Sequence, residues 1–123
     1  MTPDRVLPVG TRPVAGHEFG FRVRRALGAT EIDHAFTDID FDDDGRAQLI
    51  ARDPSGTGVG MAWDRSCKWL QIHTADKPAP LPNRVGLAVE PMTCPPDAFN
   101  SGQDVVQLGS GATHQTQWTI FAV

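Results

Sequence analysis

The sequence predicts an all-β chain folded as an antiparallel β-sandwich, and three observations point there. Apolar and polar residues alternate with period two in several short runs, the pattern of half-buried strands. Twelve glycines and ten prolines in 123 residues favour many tight turns over long helices. Turn signals such as Asp43-Asp44-Gly45 and Asp53-Pro54-Ser55-Gly56 fall between strand-like runs, where Asp and Gly accept positive φ at little cost.

Taken in order, residues 1–18 are punctuated by Pro and Gly and read as irregular. Phe19, Phe21 and Val23 alternate with Gly20, Arg22 and Arg24 and suggest a short strand. Residues 25–31 fit a helical turn or a loop equally well, and 35–41 is a weak strand candidate. Ala47, Leu49 and Ala51 alternate with polar neighbours, and Val59, Met61 and Trp63 alternate with Gly58, Gly60 and Ala62, so the pair predicts a hairpin. Residues 69–74 are strongly strand-like, and 77–83 holds three prolines and reads as an extended loop. Strands are then expected over 86–90, 104–108 and 113–121.

Composition bounds the function. A chain of this length supports one domain with a core, here residues 1–123. A formal charge of −4 argues against a nucleic-acid partner, which needs a basic face. No apolar run reaches the length of a membrane helix, and the N-terminus shows no apolar signal-peptide core, so the expected location is the cytoplasm. Cys67 and Cys94 form no disulfide framework and no metal-ligand spacing with the histidines. The acidic run Asp40-Phe41-Asp42-Asp43-Asp44-Gly45 starts like a calcium loop. Ala51 stands where such a loop needs its glutamate, so the run reads as a solvated turn and no metal is expected.

The most informative segment is GLAVEPMTCPPDAFN, residues 86–100. Val85, Leu87 and Val89 present an apolar face suited to a core, while Gly86 and Ala88 leave space beside Glu90 on the other face. Pro91, Pro95 and Pro96 stiffen the chain after Glu90. A carboxylate with space beside it can touch a ligand. On 69–74 the alternation sets Trp69, Gln71 and His73 on one face and Leu70 and Ile72 on the core side. An aromatic, an amide and an imidazole together suit a sugar, which offers CH surfaces and hydroxyls. Asp33 precedes His34, which reads as a packed or half-exposed histidine rather than a catalyst.

The stretch GLAVEPMTCPPDAFNSG resembles the C-terminal signature of the aldose 1-epimerases, the galactose mutarotases. Ile32-Asp33-His34-Ala35-Phe36 and Trp69-Leu70-Gln71-Ile72-His73-Thr74 resemble two further family segments in the same order and spacing. The resemblance runs from about Val6 to the C-terminus and covers the C-terminal portion of a longer family domain. It implies part of a large mutarotase-type supersandwich with open edges that invite self-association. It implies Glu90 as the catalytic general base and Asp33 and Gln71 as substrate-binding residues. It also implies an isomerase acting on an aldose such as glucose or galactose, with no metal or organic cofactor. The family's catalytic acid is a histidine of its N-terminal half, and none of His17, His34, His73 or His114 matches that position. The second reading is therefore a non-catalytic carbohydrate-binding or structural β-sandwich fragment.

Overall fold

The computed structural model describes residues 1–123 apart from Pro3, Asp4 and Val6. Six strands and one short helix succeed one another: β1 (Asp33–Phe36), β2 (Arg46–Arg52), β3 (Gly58–Asp64), β4 (Trp69–His73), β5 (Ala88–Met92), α1 (Ala98–Ser101) and β6 (Trp118–Ala122). They build two antiparallel sheets of three strands, ordered β1-β4-β5 and β2-β3-β6, as the alternation predicts. Among the described residues no helix is long and apolar enough to cross a membrane.

The β2–β3 hairpin forms where both alternation and turn chemistry ask for it. Gly56, at φ 97°, donates its N–H to the Asp53 carbonyl at 3.0 Å, and Asp53 donates to the Thr57 carbonyl at 2.8 Å. The register pairs Ala47 with Trp63 and Leu49 with Met61, so these four side chains share one face. They meet Leu70 and Ile72 of the other sheet, and Ile32 just before β1, in a core that also holds Cys67 and draws in Phe19, Phe36 and Val89. On the outer face the Phe121 ring lies directly over Gly60, where any Cβ would collide with it.

Several expected strands are absent, for one shared reason. The 19–23 run is a series of bends and turns, because no strand lies beside it to accept a ladder. Phe19 instead packs on His34 at 4.8 Å, and Phe21 takes the Arg25 guanidinium over its ring at 4.0 Å. Residues 104–108 are irregular, 113–117 does not join β6, and β1 ends at Phe36 just before Asp38, at φ 52°. The strand around Glu90 runs two residues later than expected, from Ala88 to Met92. Its partner ends at His73, opposite Ala88, so Val85 and Leu87 find nothing to pair with. Val85 is left 79% exposed rather than in the core. Pro91 is tolerated because β5 is an edge strand.

Thr74 fixes the end of β4 against the chain entering β1. It is buried, and its hydroxyl oxygen accepts the Ile32 N–H at 2.9 Å. Its own proton lies within reach of the Ile32 carbonyl, at 3.1 Å, and of the Asp76 carboxylate. Thr74 N–H donates to the same Ile32 carbonyl at 2.9 Å.

The two sheets do not close over each other completely. An open groove of about 670 Å³ lies at the mouth of the core, lined by Leu49, Val59, Met61, Leu87, Val89 and Ile120. Trp118 and Ile120 on β6 remain 52% and 62% exposed. The accessible surface of 8706 Å² exceeds the roughly 6,500 Å² expected of a compact monomer of 13.3 kDa.

The Thr74 knot gives a stability test. Thr74→Val keeps the shape and leaves the buried Ile32 N–H without its partner, at a cost of about 1–3 kcal/mol. The expected outcome is a lower urea midpoint with an unchanged slope.

Candidate functional site

The β1-β4-β5 sheet separates two chemistries by its period of two. Leu70 and Ile72 enter the core, while Trp69, Gln71 and His73 lie on the opposite face. The register sets Asp33 opposite His73, and Glu90 opposite Gln71. Directly paired residues project to the same side, so Asp33, Gln71, His73 and Glu90 occupy one face, drawn from three strands.

Gln71 sits at the centre of this group. It is 9% exposed, and its Nε2 donates to Asp33 Oδ1 at 2.7 Å. That bond fixes the amide orientation, since two oxygens facing each other would repel. Its Oε1 is then buried with no hydrogen-bond donor among the described residues. Asp33 Oδ2 lies 3.6 Å from His73 Nδ1, too long for a hydrogen bond but close enough for a charge contact. The Asp33 and His73 side chains are 46% and 32% exposed, and Glu90 is exposed on the edge strand.

The face is less open than the sequence suggests. Trp69 is buried, and its indole N–H donates to Asp104 Oδ2 at 2.9 Å. That bond, with Lys68 Nζ 3.4 Å from the other oxygen, holds the Asp104 carboxyl below its ordinary titration range. Trp69 is thus held by the segment around Asp104 rather than offered to a ligand. The open members are Asp33, His73 and Glu90, with Gln71 beneath them. Asp104 carries no local sequence signal, because it lies 35 residues from the Trp69 it holds. Arg84 is equally silent in the sequence. It reaches back to the Gly28 and Thr30 carbonyls and pairs with Asp76 at 2.6 Å, just beyond the end of β4.

The other candidates lie elsewhere. His34 is on the core side of β1, against Phe19, with a buried Nδ1 that has no partner among the described residues. His17 accepts the Phe19 N–H, and His114 is exposed in an irregular segment. Asp40 pairs with Arg22 at 2.9 Å, and Asp42 Oδ1 accepts the Arg46 N–H at 2.8 Å as the β2 turn requires. Cys67 is buried, which raises its thiol above the ordinary value, and Cys94 is half-buried. The apolar groove belongs to the core side of the sheets and is not continuous with the polar face.

The class so described is an all-β sandwich of two antiparallel sheets with a carboxylate, amide and imidazole cluster on the outer face of one. The sequence matches the family described as aldose 1-epimerase over residues 1–120, and the chain belongs to that family. It is similar to the uncharacterized protein YihR of Escherichia coli (strain K12), with 35% identity over 104 residues. Those residues are 85% of this chain and 31% of the relative, so the chain spans about a third of that curated relative's length. No solved structure matches the chain.

His34 gives this sheet a pH dependence. Burial lowers its pKa from the ordinary 6.5, helped by the amino terminus, Arg12 and His17 and opposed by Asp33. The unfolded chain therefore binds the proton more readily than the folded one. The contribution is fully present above about pH 6.5 and is lost as pH falls through the lower folded value. His34→Phe should flatten the decline in urea midpoint that the native chain shows between about pH 7.5 and pH 5.

Proposed function

We propose that this chain carries the base half of an aldose 1-epimerase site, acting on an aldose such as glucose or galactose with Glu90 as general base. One observation carries the reading: Glu90, Gln71 and Asp33 share a sheet face, joined by the Gln71↔Glu90 register pair and the 2.7 Å Gln71–Asp33 bond. In this reading Asp33 and Gln71 hold sugar hydroxyls, and the Gln71–Asp33 bond fixes the carboxylate that accepts them. Glu90 removes the proton from the C1 hydroxyl. The ring opens to the aldehyde, C1–C2 rotates, and the ring closes on the other face. Each placed proton transfer contributes about 10²–10⁴ in rate, and the hydroxyl contacts keep C1 over the base.

A second reading, a non-catalytic sugar-binding or structural fragment, draws support from the burial of Trp69, whose indole is held by Asp104 and not offered to a ligand. The uncovered groove mouth and the exposed β6 edge support self-association of the isolated chain. Sedimentation across a wide concentration range should show a weight-average mass that rises with concentration. A mass fixed at 13.3 kDa would end that part of the proposal.

Polarimetry of freshly dissolved α-D-glucose or α-D-galactose separates the two functional readings. Any acceleration of mutarotation should fall by about 10² or more in Glu90→Gln, with the far-UV spectrum unchanged. Acceleration that survives in that variant would show that Glu90 is not the base.

A further inference from the structure

Asp33 rests on a weak foundation. It is the first residue of β1, a strand of four residues at the edge of its sheet, paired with β4 alone. The ends of short edge strands open readily. Yet Asp33 takes the Gln71 amide at 2.7 Å, and a ligand-binding group must be held to within about 0.5 Å of its working geometry. We propose that Arg84 is the positioning residue that supplies this hold, acting on Asp33 through Asp76, Thr74 and Ile32; this rests on the reading of Asp33 as a sugar-binding carboxylate.

Arg84 closes the loop between β4 and β5. Residues 75–87 run without helix or strand. The Arg84 N–H donates to the Ala75 carbonyl at 3.0 Å, and Asn83 Oδ1 accepts the Lys77 N–H at 2.7 Å, so the base of the loop is drawn together beside the end of β4. Arg84 stands there at φ 52°, a left-handed backbone that a non-glycine residue keeps only where its surroundings hold it. Its guanidinium reaches the segment entering β1. Nη1 donates to the Gly28 carbonyl at 2.6 Å, and Nη2 donates to the Thr30 carbonyl.

The same guanidinium reaches β1 by a second route. Its Nε lies 2.6 Å from Asp76 Oδ1, an ion contact rather than an aligned hydrogen bond. The other Asp76 oxygen takes the Thr74 hydroxyl. A proton aimed at that carboxylate leaves the Thr74 oxygen free to accept the Ile32 N–H at 2.9 Å, while the Thr74 N–H holds the Ile32 carbonyl. Ile32 precedes Asp33, and Thr74 follows His73, the register partner of Asp33. One side chain thus secures the chain entering β1 at Gly28, Thr30 and Ile32. The Arg84 and Asp76 side chains are only 29% and 21% exposed, so solvent screens this pair less than a surface ion pair.

Arginine suits this task and lysine does not. A guanidinium presents five N–H donors in a fixed planar fork, so it serves two carbonyls and a carboxylate at once. A lysine ammonium keeps the charge beside Asp76, but it is a point on a flexible stem and does not hold two carbonyls at a fixed separation. Loss of a hydrogen bond to a charged group shifts a local opening equilibrium by about 10- to 100-fold. Opening of this corner swings Asp33 away from Gln71 while the β2–β3 hairpin of the other sheet stays folded.

The test is hydrogen exchange and sugar titration by NMR on the purified full chain and on Arg84→Met, Arg84→Lys and Asp33→Asn, each checked by thermal unfolding. In both Arg84 variants the Ile32 and Thr74 amides should exchange about tenfold or more faster, beyond any change in the amides of β2 and β3. The Gln71 side-chain amide signals should move toward those of Asp33→Asn. Affinity for D-galactose or D-glucose should fall by about tenfold or more in the same variants. Should Arg84→Met fail to fold, Arg84→Lys, which keeps the charge beside Asp76, carries the same readouts. An equal rise in exchange across both sheets, with the Gln71 signals in place, would overturn the positioning role, since a merely structural role gives that pattern. Sugar binding lost in Asp33→Asn but intact in both Arg84 variants would also overturn it, while leaving Asp33 as a sugar ligand. No sugar binding by the native chain, or binding indifferent to Asp33→Asn, would end the sugar reading of Asp33 and the positioning role together.

Discussion

Strand β4 is the constraint on which the rest depends. It is the middle strand of its sheet, and its residues from Trp69 to Ile72 are buried on both faces. With period two, one face must be apolar and the other must satisfy its own polar groups. Leu70 and Ile72 meet the first demand by joining Trp63 and Ile32 in the core. Trp69 and Gln71 meet the second by bonding to Asp104 and Asp33. A one-residue slip would drive an amide and an imidazole into the core, so the register is strongly specified. The polar cluster is therefore a direct consequence of how the core is held.

Much of this is legible in the sequence where the signal is local. The β2–β3 hairpin shows both clean alternation and Asp/Gly turns, and it forms with the register that those turns impose. The faces of β4 follow from alternation alone. The run from Phe19 to Val23 alternates just as well and is not a strand, because a strand needs a neighbour and its neighbour is not written locally. The same holds for 104–108. The boundaries of β5 shift by two residues from those the alternation predicts, because they are set by where β4 stops. That stop is fixed by Thr74 and Ile32, 42 residues apart. That Glu90, Asp33 and Gln71 meet on one face needs the pairing of three distant strands. Their suggested roles come from the family resemblance and not from periodicity.

The open mouth of the sandwich arises from the same pairing rules. Both sheets have only three strands, and each ends on two edges, with Trp118 and Ile120 lying on one of them. Core-facing side chains of β3 and β6 extend past the point where the opposing sheet covers them, which produces the groove between Val59, Ile120 and Leu87. The excess of accessible surface over a compact monomer is roughly 2,200 Å², of the order buried in a substantial protein interface. Part of that excess belongs to the irregular segments at either end of the chain. Part belongs to apolar side chains at the groove and on β6, with Val59, Trp118 and Ile120 each more than half exposed.

The polar face and the open groove lie on opposite sides of the same sheet, and that separation matters for chemistry. Covering the groove adds burial behind β4 and β5 without obstructing Asp33, His73 or Glu90. Gln71 links the two sides mechanically, being buried in the middle strand while its Nε2 holds the Asp33 carboxylate from below. Its Oε1 has no hydrogen-bond donor among the described residues, an arrangement that costs about 1–3 kcal/mol when nothing pairs with it. The cost is borne on the polar side of the strand, where the Gln71–Asp33 bond offsets part of it and holds the carboxylate of β1 in place over the middle strand.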